Sequence, residues 1–122
     1  MKNKNFSVYK RVKSVGYAIK GIVYVFKNEH NMRVHLGLFL ASVILGLFLK
    51  ISSGEWAIII ASYAVLFAAE CINTSVEYTL DHLHPSTHIN VGKAKDAAAG
   101  AVLIIGIGIF ILSCIIFIPK II

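Results

Sequence analysis

The stretch "AAECINTSVEYTLD", Ala68 to Asp81, decides how this chain folds. It follows an apolar run, Trp56–Ala69, of 14 residues. A helix needs about 20 residues to cross a hydrocarbon core, so the span has to continue through Glu70. On a wheel turning about 100° per residue, with Glu70 at zero, Asn73 falls near −60°, Glu77 near −20° and Asp81 near +20°. Thr74 lies beside them, while Ile72, Val76 and Leu80 point elsewhere. One face of a spanning helix therefore carries Glu70, Glu77, Asp81 and an amide. With the span starting near Trp56, its inner boundary falls at about residue 75. That places Glu70 about a turn inside the apolar zone, Glu77 at the boundary and Asp81 in water. A carboxylate at Glu70's depth is costly, so it is expected to face a bundle interior or a polar cavity. There it becomes a candidate general base.

The rest of the chain reads as a membrane protein around this helix. The 122 residues suffice for one domain, 57% of them are hydrophobic and only 15% charged. The aliphatic residues gather into runs rather than spreading evenly. Over residues 6–27, Tyr9, Val12, Gly16, Ile19, Val23 and Phe26 recur at steps of three or four, and Lys13, Lys20 and Lys27 fall on another face. This predicts an amphipathic helix lying in the membrane interface. "NEHN", Asn28 to Asn31, is expected to break it. Spanning helices are predicted over 33–50, 55–81 and 95–118. They are separated by the turn "KISSGE", Lys50 to Glu55, and by the loop "HLHPSTHINVGK", His82 to Lys93, with Pro119 and Lys120 ending the last one. Trp56 suits an interfacial anchor. The expected fold is all-α and integral to the membrane, a single domain over 1–122.

Charge orients it. Of the 12 Lys and Arg, Lys2, Lys4, Lys10, Arg11, Lys13, Lys20, Lys27 and Arg33 lie in the N-terminal arm. Three spans put that arm on the same side as Lys93 and Lys95, so this side is expected to be cytoplasmic. No nucleic-acid recognition motif accompanies the basic arm, which argues against that class. Cys71 and Cys114 sit in apolar runs without CxxC spacing and read as small buried hydrophobes. No cleavable signal peptide is expected from the polar N-terminus.

At the cytoplasmic edge the residues suggest phosphate chemistry. Glu29 ends the interfacial helix at the depth of Glu77, and two carboxylates at one level suit Mg²⁺, with phosphate oxygens and water completing its shell. Lys95 and Asp96 open the third span at the same level, where a lysine offsets phosphoryl charge. No Walker loop, kinase Gly-rich loop or HRD element is present. His82, His84 and His88 straddle Pro85 with a spacing that argues for a loop rather than a metal site.

"ECINTSVEYTLD" with "AKDAAAGAVL", and upstream "GYAIKGIVYVFKNEHNMR", resembles the prokaryotic diacylglycerol kinase family of small integral-membrane lipid kinases. Tyr17, Gly21, Asn28, Glu29, Glu70, Asn73, Glu77, Asp81, Lys95 and Asp96 all match, and the resemblance covers nearly the whole chain. It implies a homotrimer with a surface helix and three transmembrane helices per subunit, sites shared between neighbouring subunits, and ATP and Mg²⁺ at the cytoplasmic face of a bacterial membrane. It assigns Glu70 as the base and Glu29 and Glu77 to the metal. Nucleotide contacts fall to Lys10 (where an Arg is familiar), Tyr17, Asn73, Ser86, Thr87, His88, Lys95 and Asp96, beside Glu29 and Glu77. Lipid contacts fall to Asn31, Arg33, His35 and Trp56 around Glu70. Where the diacylglycerol branch has Trp, Arg and Glu, this chain has Ile19, Val23 and His35. Those departures point to the undecaprenol kinases of Gram-positive bacteria, since a polyprenol presents a bare hydroxyl with no ester groups to grip. The alternatives are a diacylglycerol kinase and, in a different class, a small ion-conducting subunit. The latter expects carboxylates near the bilayer centre, whereas here they crowd toward one edge.

Overall fold

The structure, a computed structural model, describes residues 5–122; Lys2 and Lys4 lie outside them. Four helices follow one another: α1 Val8–Asn28, α2 His30–Leu49, α3 Ser53–Leu83 and α4 Ile89–Ile121. No strand occurs among the described residues. α2, α3 and α4 are each long and apolar enough to cross a membrane.

Local chemistry sets the helix ends. Ser7 caps α1 by accepting the amide of Lys10 at 3.3 Å. The break after α1 is a single extended residue, Glu29 (φ −104°, ψ 116°), rather than the whole of "NEHN". Its amide donates to the Val25 carbonyl at 2.8 Å, Asn28 Nδ2 donates to the Tyr24 carbonyl at 2.8 Å, and Arg33 Nη1 donates to that of Lys27 at 3.3 Å. These donors satisfy carbonyls that a helix terminus otherwise leaves unpaired. Ser52 and Glu55 form a reciprocal capping box on α3. From there the helix runs 31 residues without interruption, so the quoted stretch does complete the second span.

The ends of α1, α2 and α3 lie within three residues of the sequence expectation, and α4 differs at both ends. α4 begins at Ile89 rather than 95, leaving His84–His88 of the predicted 82–93 loop outside helix. His88 is the cap: its Nδ1 accepts the Asn90 amide at 3.1 Å, and the Gly92 amide reaches its carbonyl at 2.9 Å. Gly92 costs a helix about 1 kcal/mol, too little to stop one capped just upstream and followed by a long apolar run. Lys95 and Asp96 therefore lie well inside α4. Pro119 does not end α4 either. The helix continues to Ile121, and the Ile122 amide reaches the Ile118 carbonyl at 3.2 Å.

The packing runs along one stripe of α3. Its buried residues, Ile59, Tyr63, Leu66, Glu70, Asn73 and Thr74, recur at steps of three or four and form one face. The face is apolar in its first half and polar in its second. The apolar half packs with Ile109, Ile116 and Phe117 of α4 and with Ile51. Antiparallel to it, α2 presents Met32, His35, Phe39, Ser42 and Gly46, also at three-four spacing. Gly46 lies under the Trp56 ring, the Ser42 hydroxyl is 3.1 Å from that of Tyr63, and Phe39 meets Tyr63 at a tilt and Phe67 edge to face, with centroids at 5.1 and 5.8 Å. The next rung is His35 opposite Glu70.

Charge pairs close both ends of the α3–α4 hairpin. Glu55 pairs with Lys120 at 3.2 Å and Asp81 pairs with Lys95. Between these pairs each helix rises about 38 Å, somewhat more than a hydrocarbon core of about 30 Å. The pairs thus bracket the apolar slab. Within it Glu70 lies about 16 Å from the level of Asp81, and Glu77 about 6 Å.

Candidate functional site

The polar half of the α3 stripe, roofed by the α1–α2 corner, forms the candidate site. Glu70 is 2% exposed, Asn73 7% and Thr74 3%. This matches the expectation that Glu70 faces the bundle interior. The burial follows from α3 keeping one face inward throughout: the residues that continue the Ile59–Tyr63–Leu66 stripe are polar. Among the described residues, four buried side-chain atoms have no hydrogen-bond partner: His35 Nε2, Glu70 Oε2, Asn73 Oδ1 and Thr74 Oγ1. Buried polar groups are nearly always satisfied, so a cluster of exceptions on one stripe marks a place made for chemistry or for a guest.

Toward the Asp81–Lys95 end the polar groups become accessible. Asn73 Nδ2 donates to Glu77 Oε1 at 3.4 Å. Glu29 is held from across the corner: Tyr78 Oη donates to its Oε1 at 3.2 Å, and Tyr24 Oη donates in turn to Tyr78 Oη at 3.3 Å. Although Glu29 precedes α2 in the capping position, its side chain caps nothing and is committed to Tyr78. Tyr24 and Tyr78 were not singled out from the sequence. The signal available was a phenol next to Glu77 in a stretch already marked as polar, and a second phenol in α1 shortly before Glu29. Their pairing across α1 and α3 required the fold.

Among the described residues no group of three or more His, Cys, Asp or Glu could hold a metal ion. Mg²⁺ takes as few as one or two protein carboxylates and completes its shell with water and phosphate oxygens, so Glu29 and Glu77 stay candidates only. Each has one oxygen engaged by a neutral donor, from Tyr78 and Asn73 respectively. That leaves the other oxygen for a ligand.

The nucleotide set is partly gathered. Ser86, Thr87 and His88 line a cavity of about 160 Å³ with Asp81, His84 and Lys95. Ser86 Oγ lies 3.3 Å from His84 Nδ1, and His88 Nδ1 is occupied in capping α4. The Lys95 ammonium rests on Asp81. Asp96 is exposed on α4 beside it. Lys10 and Tyr17 are exposed on α1, with the Lys20 ammonium 5.7 Å from the Tyr17 ring. Among the described residues no hydrogen bond or ion pair joins either to Glu77.

Of the lipid set, the structure brings His35 to Glu70, with Nε2 3.7 Å from Oε2. Asn31 is exposed in the first turn of α2, and Arg33 is turned back onto the Lys27 carbonyl. Trp56 stands apart, at the Glu55–Lys120 end of α3 and about 21 Å of helix rise from Glu70. Its ring packs over Gly46.

Comparison with known proteins identifies the family of the chain. Residues 16–117 match the family model described as prokaryotic diacylglycerol kinase. The undecaprenol kinase of Bacillus subtilis is 35% identical over 108 residues, covering 88% of each chain. The diacylglycerol kinase of Escherichia coli K12 is 28% identical over 115 residues, 94% of each chain, and that of Haemophilus influenzae is 32% identical over 95 residues, 76% of this chain and 79% of its own. The chain belongs to the prokaryotic diacylglycerol kinase family, whose members are lipid kinases.

Proposed function

We propose that this protein transfers the γ-phosphoryl group of ATP to the hydroxyl of undecaprenol, giving undecaprenyl phosphate and ADP at the cytoplasmic face of a bacterial membrane. The observation that carries the proposal is Glu70: a fully buried carboxylate with an unpartnered oxygen, two helical turns inside Glu77. A hydroxyl on a lipid lies in that apolar zone, whereas a nucleotide stays at its edge. The separation of Glu70 and Glu77, about 10 Å of helix, lets one face of α3 serve both.

In this mechanism Glu70 accepts the proton of the lipid hydroxyl as its oxygen bonds to the γ-phosphorus. The bond from that phosphorus to the β,γ-bridging oxygen breaks, and its electrons leave on ADP. Glu29 and Glu77 would hold Mg²⁺, which supplies charge neutralisation at the phosphates. Tyr78 and Asn73 fix those two carboxylates. Lys95, exchanged from Asp81 onto the phosphates, offsets charge that develops in transfer. Ser86, Thr87 and His88, with Lys10, Tyr17, Asn73 and Asp96, would bind the nucleotide, Asn31 and Arg33 at the start of α2 would lie near the lipid hydroxyl, and His35 faces Glu70. Catalysis of this kind is mainly positioning and electrostatics.

Undecaprenol is favoured over diacylglycerol by the apolar side chains where a glycerol headgroup would need polar contacts. Ile19 and Val23 are exposed on α1 and offer none. The 35% identity to an undecaprenol kinase supports the same choice. A homotrimer with the N-terminus in the cytoplasm completes the proposal. The large exposed apolar surface of α4, including Leu103, Ile104, Phe110 and Ile115, suits contact with lipid and with further copies of the chain.

The test is Glu70→Gln in purified protein given polyprenol, ATP and Mg²⁺. Loss of about a hundredfold or more in kcat is expected for a missing base. Turnover near that of the unaltered protein would sink the assignment.

A further inference from the structure

Resting on the proposal that Glu70 is the base, we infer that His35 is its positioning residue: the imidazole Nε2–H donates to Glu70 Oε2 and turns the other carboxylate oxygen toward the lipid hydroxyl. The two atoms stand 3.7 Å apart, and both are buried without another partner. This distance is longer than a hydrogen bond, but closing it by less than 1 Å satisfies two orphaned groups at once, and leaving both unmade is costly.

Packing, rather than chance proximity, sets the pair. His35 belongs to the α2 stripe that zips against α3 through Gly46 and Trp56, Ser42 and Tyr63, and Phe39 with Tyr63 and Phe67. Continuing that register by one rung puts His35 opposite Glu70. Met32, one turn before His35 on the same face, is 0% exposed and anchors the start of the stripe. The backbone carrying the imidazole is therefore fixed from both sides. Asn73 also reaches the Glu70 carboxylate and donates its Nδ2 to Glu77, and the Thr74 hydroxyl is unpartnered one turn along, but Oε2 itself has no other partner. His35 is the side chain placed to restrain Oε2. A carboxylate with one oxygen tied down presents the other in a defined direction, which is what a near-attack geometry needs.

The experiment uses the full chain in mixed micelles with polyprenol and ATP-Mg²⁺. His35→Leu keeps an apolar side chain in the stripe and removes the donor. It is expected to lower kcat about ten- to hundredfold while KM for both substrates stays within about twofold. His35→Gln carries an amide donor at its ε position and is expected to recover most of that loss. A second measurement needs no turnover. The ring ¹⁵N resonances of His35 in the unaltered protein should shift in Glu70→Gln, as its Nε2–H changes partner. Unchanged kcat in His35→Leu, a rise in lipid KM without loss of kcat, or identical His35 resonances with and without the Glu70 carboxylate would each overturn the inference. Turnover lost in Glu70→Gln but kept in His35→Leu overturns the positioning role alone. Turnover kept in Glu70→Gln removes the base assignment and the inference with it. If His35→Leu fails to fold, His35→Gln and the resonances decide.

Discussion

Substituting Gly46 by Ala tests how α2 and α3 are held in register, and with it the role of Trp56. A Cβ at Gly46 would lie 2.8 Å from Cη2 and 3.0 Å from Cζ2 of the Trp56 ring, and 3.0 Å from Cδ1 of Ile51. Carbon atoms in contact prefer at least about 3.5 Å, so three contacts are short by about 0.5 to 0.7 Å. The Ile51 methyl can rotate away. The indole cannot do so without lifting from the helix it covers. Overpacking of this kind costs about 1–3 kcal/mol. The assay is unfolding of the purified protein in micelles by SDS titration, beside kcat and KM for the lipid. Gly46→Ala should lose stability in that range. Adding Trp56→Leu, which frees the space, should give a double variant more stable than the two single losses together predict, showing coupling. Because Trp56 lies about 21 Å of helix rise from Glu70, lipid KM for Gly46→Ala should stay within about twofold. Full stability in Gly46→Ala, or a large rise in lipid KM, would refute the packing argument; the second result would also move Trp56 into the substrate site.

Other consequences are equally direct. Tyr63→Phe removes a buried hydroxyl 3.1 Å from Ser42 Oγ, and it should cost about 0.5–1.5 kcal/mol in the same titration with turnover intact. A turnover defect without a stability loss would contradict that placement. Lys95→Ala should reduce kcat by about tenfold or more, as loss of a charge on the transferring phosphoryl does. Asp81→Asn, which merely releases the Lys95 ammonium from a half-exposed pair, should change stability by less than about 1 kcal/mol and raise or leave unchanged the affinity for ATP. A fall in ATP affinity in Asp81→Asn would mean that Asp81 serves the nucleotide itself.

Much of this architecture was legible in the sequence because hydrocarbon thickness is a strict ruler. Trp56–Ala69 is too short to cross, so α3 had to run through Glu70, and helical spacing then put Glu70, Asn73 and Thr74 on the face that the structure buries. The start of α4 was not legible, because it depends on a histidine acting as a cap and on how little one glycine costs a helix. The hold of Tyr78 on Glu29 was hidden for a different reason: it joins residues 49 apart in the chain and exists only once α1 folds back over α3. The same holds for His35. Its sequence position suggested a lipid contact, while the α2–α3 register shows that it faces the carboxylate itself.

The central claim is phosphoryl transfer to a polyprenol, and the most direct measurement is transfer of labelled γ-phosphoryl from ATP-Mg²⁺ to undecaprenol and to diacylglycerol in identical micelles. The account predicts a labelled polyprenyl phosphate formed faster than labelled phosphatidic acid. Diacylglycerol labelled as fast or faster would contradict the choice of substrate, and label on neither lipid would contradict the activity.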